Sequence, residues 1–253
     1  MLKLKLLSLV FVLILMYSST PIVVQAQANN NLEWGVNVGD EFTYVLQRAY
    51  YADPNYVNVI TDDLPFVPHM AVGQKAIMRV TGLDPIPLQI NETSQLANST
   101  CDLERANDSV TIGSGLNAFV VPIGDWDFLT QMANITGLED LSLIDTQEEW
   151  GTIGIGSFFT SDGSVVSITY EVRYEKENGT LNYLRYRYNT LGTDLIDIIF
   201  VNWHPGMPTI LPPSLQIPTV LIISISAVVV FIVSVLVYQG YRGRKSIVQR
   251  LGE

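Results

Sequence analysis

Side chains that usually perform catalysis or bind metals are scarce in this chain. It contains two histidines, His69 and His204, and one cysteine, Cys101. Neither histidine has a second His or Cys at the short spacing that a zinc site needs. No Gly-x-Ser-x-Gly motif marks a nucleophilic serine, although the members of a Ser-His-Asp triad need not be close in sequence. The sequence therefore indicates no metal site, no cofactor and no assigned catalytic residue.

Paired carboxylates are the arrangement that could still support catalysis. A glycosidase-type hydrolase uses two facing acids in different environments. The sequence offers four neighbouring pairs of acids: Asp62 with Asp63, Asp125 with Asp127, Glu139 with Asp140, and Glu148 with Glu149. In a chain this rich in acids, helix capping and solvation account for such pairs. A membrane-anchored extracellular hydrolase is therefore the alternative hypothesis, not the preferred one.

Aromatic side chains suggest binding more than they suggest chemistry. Tyr170, Tyr186 and Tyr188 alternate on two predicted strands, and Trp126 opens a predicted helix. On a curved sheet these four residues could line a cavity for a sugar or a lipid, and we take them as the candidate ligand-binding residues. The competing interpretation is an ordinary core, because tyrosines that alternate along a strand commonly serve packing.

Five Asn-x-Ser/Thr motifs are candidate glycosylation sites: Asn91, Asn98, Asn107, Asn134 and Asn178. Each motif alone indicates little because the pattern is short. Three of them fall between residues 91 and 109, which predicts an exposed loop. Cys101 lies in this polar segment, where an exposed or intermolecularly bridged thiol is conceivable and an inert thiol is the favoured interpretation.

Two apolar segments at opposite ends of the chain indicate export and membrane anchoring. Residues 1–28 combine a short basic start, an apolar run and the cleavage pattern Ala26-Gln27-Ala28, as in a secretory signal peptide. Residues 219–238 contain no charge and are long enough to cross a bilayer as a helix. Residues 239–253 form a basic tail, which places the C-terminus in the cytoplasm and the preceding domain outside.

Charge is unevenly distributed along the 253 residues, whose net charge is −11. Six of the 14 basic residues lie at the two ends, so the segment between them carries 24 acidic and 8 basic residues and a charge of −16. Such a surface repels nucleic-acid phosphates, so we predict no nucleic-acid partner. Residues 29–204 are predicted to form one extracellular strand-rich domain, and the Pro-rich residues 205–218 a semi-rigid stalk.

Alternation of apolar and polar residues dominates the predicted domain and indicates antiparallel strands. The strands are predicted around residues 42–46, 76–80, 86–90, 166–175, 181–190 and 195–201. A three-residue turn at 177–179, with Gly179 left-handed, pairs Tyr170 with Tyr186. A two-residue turn at 162–163 would pair Ile155 with Tyr170 in the preceding hairpin.

Helical patterns are weaker than the strand patterns. Asp125 can cap a helix from Trp126 to about Asn134, and a second short helix over residues 138–143 is an option. One or two short helices over the concave face of a curved antiparallel sheet would bury both apolar surfaces. The predicted fold class is therefore α+β, mostly antiparallel β, with one C-terminal transmembrane helix.

Two short motifs accompany the tyrosine hairpin and the C-terminal apolar segment: Trp34-Gly35-Val36-Asn37-Val38-Gly39-Asp40 and Phe119-Val120-Val121-Pro122-Ile123-Gly124-Asp125-Trp126. In these features the chain resembles archaeal surface proteins of the choice-of-anchor S type. The resemblance implies surface display of an uncharacterised ectodomain, with no catalytic residues to carry over. The bent sheet with its tyrosine hairpin is also similar to half-barrel lipid-carrying modules of bacterial envelopes, which is an analogy of fold only.

We therefore expect a single-pass plasma-membrane protein held in the bilayer by residues 219–238. Its outer domain is expected to bind an envelope component, a partner protein or a small amphiphile without catalysis. An open, aromatic-lined hollow on the apolar face of the sheet would favour a ligand. A sealed face would favour protein contacts or simple display.

Overall fold

The computed structural model describes residues 30–135, 141–160, 163–212 and 228–239. Within them, one open antiparallel sheet has the strand order β4-β3-β2-β1-β9-β8-β7-β6-β5. This confirms the prediction of a mostly antiparallel β-structure with short helices. The strands are β1 (Glu41–Tyr51), β2 (Lys75–Leu83), β3 (Ser99–Arg105), β4 (Thr111–Leu116), β5 (Leu141–Asp145), β6 (Glu149–Phe159), β7 (Val165–Glu175), β8 (Leu181–Thr190) and β9 (Thr193–Asn202).

The second half of the sheet follows the predicted meander from β6 to β9. The turn at 177–179 places Gly179 at φ +76° and pairs Tyr170 with Tyr186, as the three-residue turn predicts. The same register puts Val172 opposite Leu184, so apolar side chains share one face of the sheet. We call this apolar side the inner face and the opposite side the outer face.

The β6–β7 hairpin differs from the prediction by one residue. The Thr160 amide donates to the Ser164 carbonyl, and Gly154, not Ile155, lies opposite Tyr170. Of the predicted two turn residues, Asp162 lies outside the described residues. A shift by one residue turns every side chain of a strand to its other face. The inner face of β6 is therefore formed by Trp150, Thr152, Gly154, Gly156 and Phe158.

The first half of the sheet is only partly predicted by the alternation. β1 and β2 are confirmed, but residues 86–90 form no strand, because Pro85 and Pro87 remove backbone donors. The exposed loop predicted over 91–109 is wrong for β3, where Cys101 and Leu103 are fully buried. Register shifts in β1 and β2 mark bulges, which bend a strand and agree with a curved sheet.

Two short helices lie on the inner side of the sheet: α1 (Val57–Ile60) and α2 (Trp126–Ile135). The Asp125 carboxylate accepts a 3.0 Å hydrogen bond from the Phe128 amide, which confirms the predicted cap. The predicted second helix is wrong for residues 141–143, which belong to strand β5, while 136–140 lie outside the described residues. Three 3-10 turns complete the cover: Pro54–Tyr56, Val67–His69 and Thr93–Gln95.

The core lies between the inner face and three covering segments, residues 52–73, 84–98 and 117–135. Tyr44 stacks on Phe200 with ring centroids 5.0 Å apart, and Phe119 meets Tyr44 edge-on at 5.6 Å. The Tyr44 hydroxyl donates a 2.7 Å hydrogen bond to the Leu181 carbonyl, so this buried polar group is satisfied. Burial of these rings removes apolar surface from water and so stabilises the fold.

The outer face carries a buried ionic cluster and the beginning of the predicted stalk. Asp197 is only 1 % exposed and pairs with Arg48 at 2.7 Å and Arg185 at 2.8 Å. The Leu211 amide donates to the Gln47 carbonyl and the Gln47 side-chain amide donates to the Pro208 carbonyl, so residues 208–212 lie against the sheet instead of leading directly away from it. Residues 213–218 of the stalk lie outside the described residues.

The predicted ends of the chain fall largely outside the described residues. This holds for the signal peptide 1–28, for residues 219–227 of the predicted span and for residues 240–253 of the tail. Residues 228–239 are helical. Among the helices that the structure describes, none is long and apolar enough to cross a bilayer.

Candidate apolar binding cavity

An open cavity of about 650 Å³ lies on the inner face between α2 and strands β6 and β7. Its volume is within the roughly 300–1,000 Å³ range of small-molecule sites. Trp150, Val172 and Tyr174 come from the sheet, while Leu129 and Met132 come from α2. Helix and sheet are joined by Trp150, whose indole N–H donates to the Thr130 hydroxyl of α2 at 3.0 Å. The segment 117–122 and residues near Ser99 close the remaining side.

Two glycines leave the space open. Gly154 and Gly156 stand on the inner face of β6, opposite Tyr170 and Ile168. A Cβ atom at Gly154 would meet only the Tyr170 carbonyl, at 4.0 Å, and one at Gly156 would meet no described atom within 4 Å. A glycine inside a strand weakens the strand, and it commonly marks a place where a ligand or another backbone approaches. Here the missing side chains account for part of the cavity.

The described part of the cavity wall carries no charge. Of the residues that the structure describes, none lining the cavity is Asp, Glu, Lys, Arg or His. The polar lining groups are the amides and hydroxyls of Asn98, Asn117, Thr93, Ser99 and Thr152, together with Tyr170 and Tyr174. An apolar wall with few polar groups suits a hydrocarbon chain, because burying it removes apolar surface from water.

The structure separates the four candidate ligand-binding residues. Only Tyr170 lines the cavity. Tyr186 and Tyr188 continue an aromatic row from Tyr170 along the inner face, with Tyr170 and Tyr186 rings 5.6 Å apart. Trp126 lies behind the wall and contacts Trp150 with ring centroids 5.7 Å apart. The sequence analysis does not predict the wall. The register that it predicts for β6 would place Trp150 and the two glycines on the outer face.

A signal in the sequence could have found the cavity. Gly154-Ile155-Gly156 places two glycines two residues apart, so both fall on the same face of a strand. Side chains of paired strands normally fill that face. Two missing side chains on one face of β6 therefore predict a hollow or a close approach, whichever residues of β7 lie opposite them.

The acidic pairs that the structure describes do not assemble at this cavity. Asp125 caps α2. Glu149 lies on the outer face of the sheet, where its carboxylate is 3.4 Å from the Arg173 guanidinium. Asp62 and Asp63 are exposed on the segment after α1, and Glu139 with Asp140 lies outside the described residues. The hydrolase alternative thus receives no support from the cavity that the structure describes.

The histidines and the cysteine lie apart from the cavity. His69 is exposed, and the His204 ring nitrogen lies 3.4 Å from a Glu175 carboxylate oxygen. Within the described residues, no three potential ligands come together as a metal site. Cys101 is fully buried on β3, and burial raises the pKa of its thiol to about 11. The thiol therefore stays protonated at neutral pH, as expected of an inert cysteine.

The candidate glycosylation sites differ in their surroundings. Asn91, Asn98 and Asn107 are exposed, and Asn98 also lines the cavity mouth. Asn134 lies within α2. Asn178 is half-buried, and its side-chain amide donates to Glu175 at 3.0 Å. The side-chain oxygen Oδ1 of Asn178 accepts a hydrogen bond from the Thr180 backbone amide at 2.8 Å.

The two motifs behind the family resemblance meet at the turn after β7. A Cβ at Gly179 would lie 2.1 Å from the Val121 carbonyl oxygen, and one at Gly35 would lie 2.7 Å from the Asn178 carbonyl oxygen. Both segments approach the turn too closely for a side chain, so these glycines serve packing. The motifs therefore hold the cover on the inner face and add no reactive group.

Comparisons with known protein families, curated proteins and solved structures found no match. The class of the protein accordingly rests on its own geometry: an open antiparallel sheet with a helix-covered, uncharged cavity.

Proposed function

We propose that the domain binds a small amphiphile, whose apolar chain occupies the cavity between α2 and strands β6 and β7. The observation that carries this proposal is a wall of uncharged described residues around about 650 Å³ of space. An empty hollow of this size leaves Trp150, Val172 and Leu129 without partner atoms on one side, whereas a hydrocarbon chain would supply them. The binding needs no catalytic group.

The cellular setting is part of the same proposal. A signal peptide over 1–28 and a span over 219–238 would place the cavity outside the plasma membrane, close to lipids. Surface display agrees with the resemblance to choice-of-anchor S proteins. Both the display and the resemblance stay predictions. A free envelope protein as the partner is less favoured, because a concave apolar hollow suits a chain better than a folded surface.

A photoreactive long-chain alcohol tests the proposal with the full-length chain. We expect cross-links to concentrate in peptides from α2, β6 and β7. Gly156→Leu places a side chain in the cavity from the inner face of β6 and should lower this labelling about tenfold. Ser157→Leu adds the same side chain to the outer face of the same strand, so labelling should stay unchanged.

Two results would contradict the proposal. One is labelling spread evenly along the chain with no preference for the cavity peptides. The other is equal labelling of the wild-type protein and Gly156→Leu, since a filled cavity would then bind as well as an open one.

A further inference from the structure

Tyrosine rings and one carboxylate form a polar corner at the end of the cavity. Tyr170 belongs both to the cavity wall and to this corner. Its ring stands at 74° to that of Tyr186, with centroids 5.6 Å apart, and Tyr188 follows at 5.5 Å from Tyr186. The Tyr186 hydroxyl donates a 2.7 Å hydrogen bond to the Asp63 carboxylate. The bond holds an exposed negative charge beside half-buried aromatic faces.

Among the described residues, most positive side chains lie away from the cavity side of the domain. The covering segments 52–73, 84–98 and 117–135 contain no Lys or Arg, but they contain Asp53, Asp62, Asp63, Asp84, Glu92, Asp125 and Asp127. On the sheet, Arg48, Arg173, Arg185 and Arg187 point to the outer face, where each pairs with an acid. Arg105 on β3 pairs with Asp108 at the far edge. Lys176, directly after β7, pairs with Asp145. Among the described residues, an anionic head group would therefore meet several acids near the cavity and no cation that lacks an acidic partner on these strands.

We infer that the amphiphile in the cavity carries a positively charged head, an amine or a quaternary ammonium, held by Asp63 and the rings of Tyr170 and Tyr186. This rests on the proposed function, because the chain of the same molecule occupies the cavity. Cations bind the faces of aromatic rings, and two rings near a right angle offer faces on two sides. The carboxylate adds direct attraction at short range.

Tyr170 and Tyr186 remain neutral at physiological pH. Burial raises the pKa of Tyr186, and its hydrogen bond to Asp63 raises it further. Burial and the Asp63 charge raise the pKa of Tyr170 as well. Both hydroxyls therefore keep their protons, and Asp63 supplies the negative charge of the corner.

Matched probes separate the head group from the chain. The full-length chain is placed in phosphatidylglycerol nanodiscs, so that no choline head competes. Photoreactive dodecyl chains that end in trimethylammonium, maltoside or carboxylate are added in turn, and cross-links in the cavity peptides are counted. Because each probe partitions equally into discs that hold wild type or variant, the ratio between the two proteins isolates the contribution of the head.

We expect Asp63→Asn to lower labelling by the trimethylammonium probe about tenfold, which corresponds to about 1.4 kcal/mol. The maltoside probe should be unaffected and the carboxylate probe should gain. Asp62→Asn removes the neighbouring exposed acid and serves as the control, with little change expected. Tyr186→Phe keeps the ring but releases Asp63, so it should reduce only the trimethylammonium labelling.

The outcomes distinguish the two proposals. If all three probes label the cavity and Asp63→Asn changes none of them, the head-group inference is overturned while the cavity proposal stands. The head-group inference is likewise overturned if the maltoside probe alone depends on Tyr186, since the corner would then bind sugars. If no probe labels the cavity peptides of the wild type, the proposed function itself fails.

Discussion

Gly154 lies directly opposite Tyr170 on paired strands, and a Cβ at Gly154 would approach only the Tyr170 carbonyl oxygen, at 4.0 Å. In the register that a two-residue turn would give, Ile155 would occupy this position and its side chain would fill the space above Tyr170. One residue of register thus decides whether the inner face is sealed or hollow. The cavity depends on the longer turn between β6 and β7, which places Gly154 and not Ile155 opposite Tyr170.

Filling the hollow should stabilise the domain and impair binding at the same time. Gly156→Val adds a β-branched side chain inside a strand, where glycine costs roughly 0.5–1 kcal/mol relative to a residue with a side chain. We expect the midpoint of urea unfolding to rise while amphiphile labelling falls. A variant that loses both stability and labelling would show that the new side chain disrupts the strand, which contradicts open space at this position.

The buried ionic cluster on the outer face should contribute much more stability than an exposed pair. Asp197→Ala leaves Arg48 and Arg185 without their shared acid, and we expect a loss of about 3 kcal/mol in the free energy of unfolding. Glu41→Ala breaks the exposed pair with Arg79 and should cost far less, because solvent screens both charges. Urea titrations of the two variants measure both losses, and similar losses would contradict the buried placement of Asp197.

Alkaline pH should destabilise the fold through groups that the core keeps protonated. Burial raises the pKa of Cys101 from 9.0 to about 11, and it also raises the pKa of Tyr44. A raised pKa in the folded state gives stability that is complete below the unfolded value. This stability falls as pH rises from about 9 through 11, because only the unfolded chain releases its protons there.

The control for this pH dependence is Cys101→Ala. The variant loses a constant amount of packing, but its unfolding free energy should fall less steeply between pH 9 and 11 than that of the wild type. Denaturant titrations at half-unit pH steps measure the two slopes. Parallel curves would mean that the Cys101 thiol is not buried in the folded state.

The different surroundings of the Asn-x-Ser/Thr motifs predict that sugar is attached to some of these asparagines more than to others. Asn91 and Asn107 are exposed, whereas the Asn178 side chain is held by Glu175 and Thr180 in a closely packed turn. Asn178→Ala should therefore cost about 1–2 kcal/mol, while Asn91→Ala should change stability little. Glycopeptide mass spectrometry of the chain produced in a glycosylating cell should find sugar at Asn91 or Asn107. A fully occupied Asn178 in a folded protein would contradict this turn.

Local patterns predict the parts of the fold whose turn chemistry is unambiguous. Asn178-Gly179 determines one hairpin register, and Asp125 marks the start of α2, because a cap and a left-handed glycine act within a few residues. β3 escapes prediction since Cys101 and Leu103 alternate inside a segment rich in Asn and Ser. Its burial depends on pairing with β2 and β4, and the local pattern carries no information about that pairing.

The two glycines of β6 hint at a hollow, but the full wall of the cavity could not be predicted, for a related reason. Its wall combines α2, the segment 117–122 and two strands, so no single segment contains the pattern. Tyr170 is predictable because aromatic residues on an inner face are natural candidates, whereas Trp150 depends on the register of β6. Tyr186 and Tyr188 are neighbours of Tyr170 as expected, but they form the corner next to the cavity and not its wall.

The most direct measurement of the central claim is native mass spectrometry of the full-length chain purified from the cells that produce it, wild type against Gly156→Leu. We expect that an apolar molecule accompanies the wild type, is released into organic solvent and is missing from Gly156→Leu. A wild type that carries no such molecule and takes up none of the added amphiphiles would contradict the proposed binding. So would an identical bound molecule on both proteins, because its binding would then not depend on the open cavity.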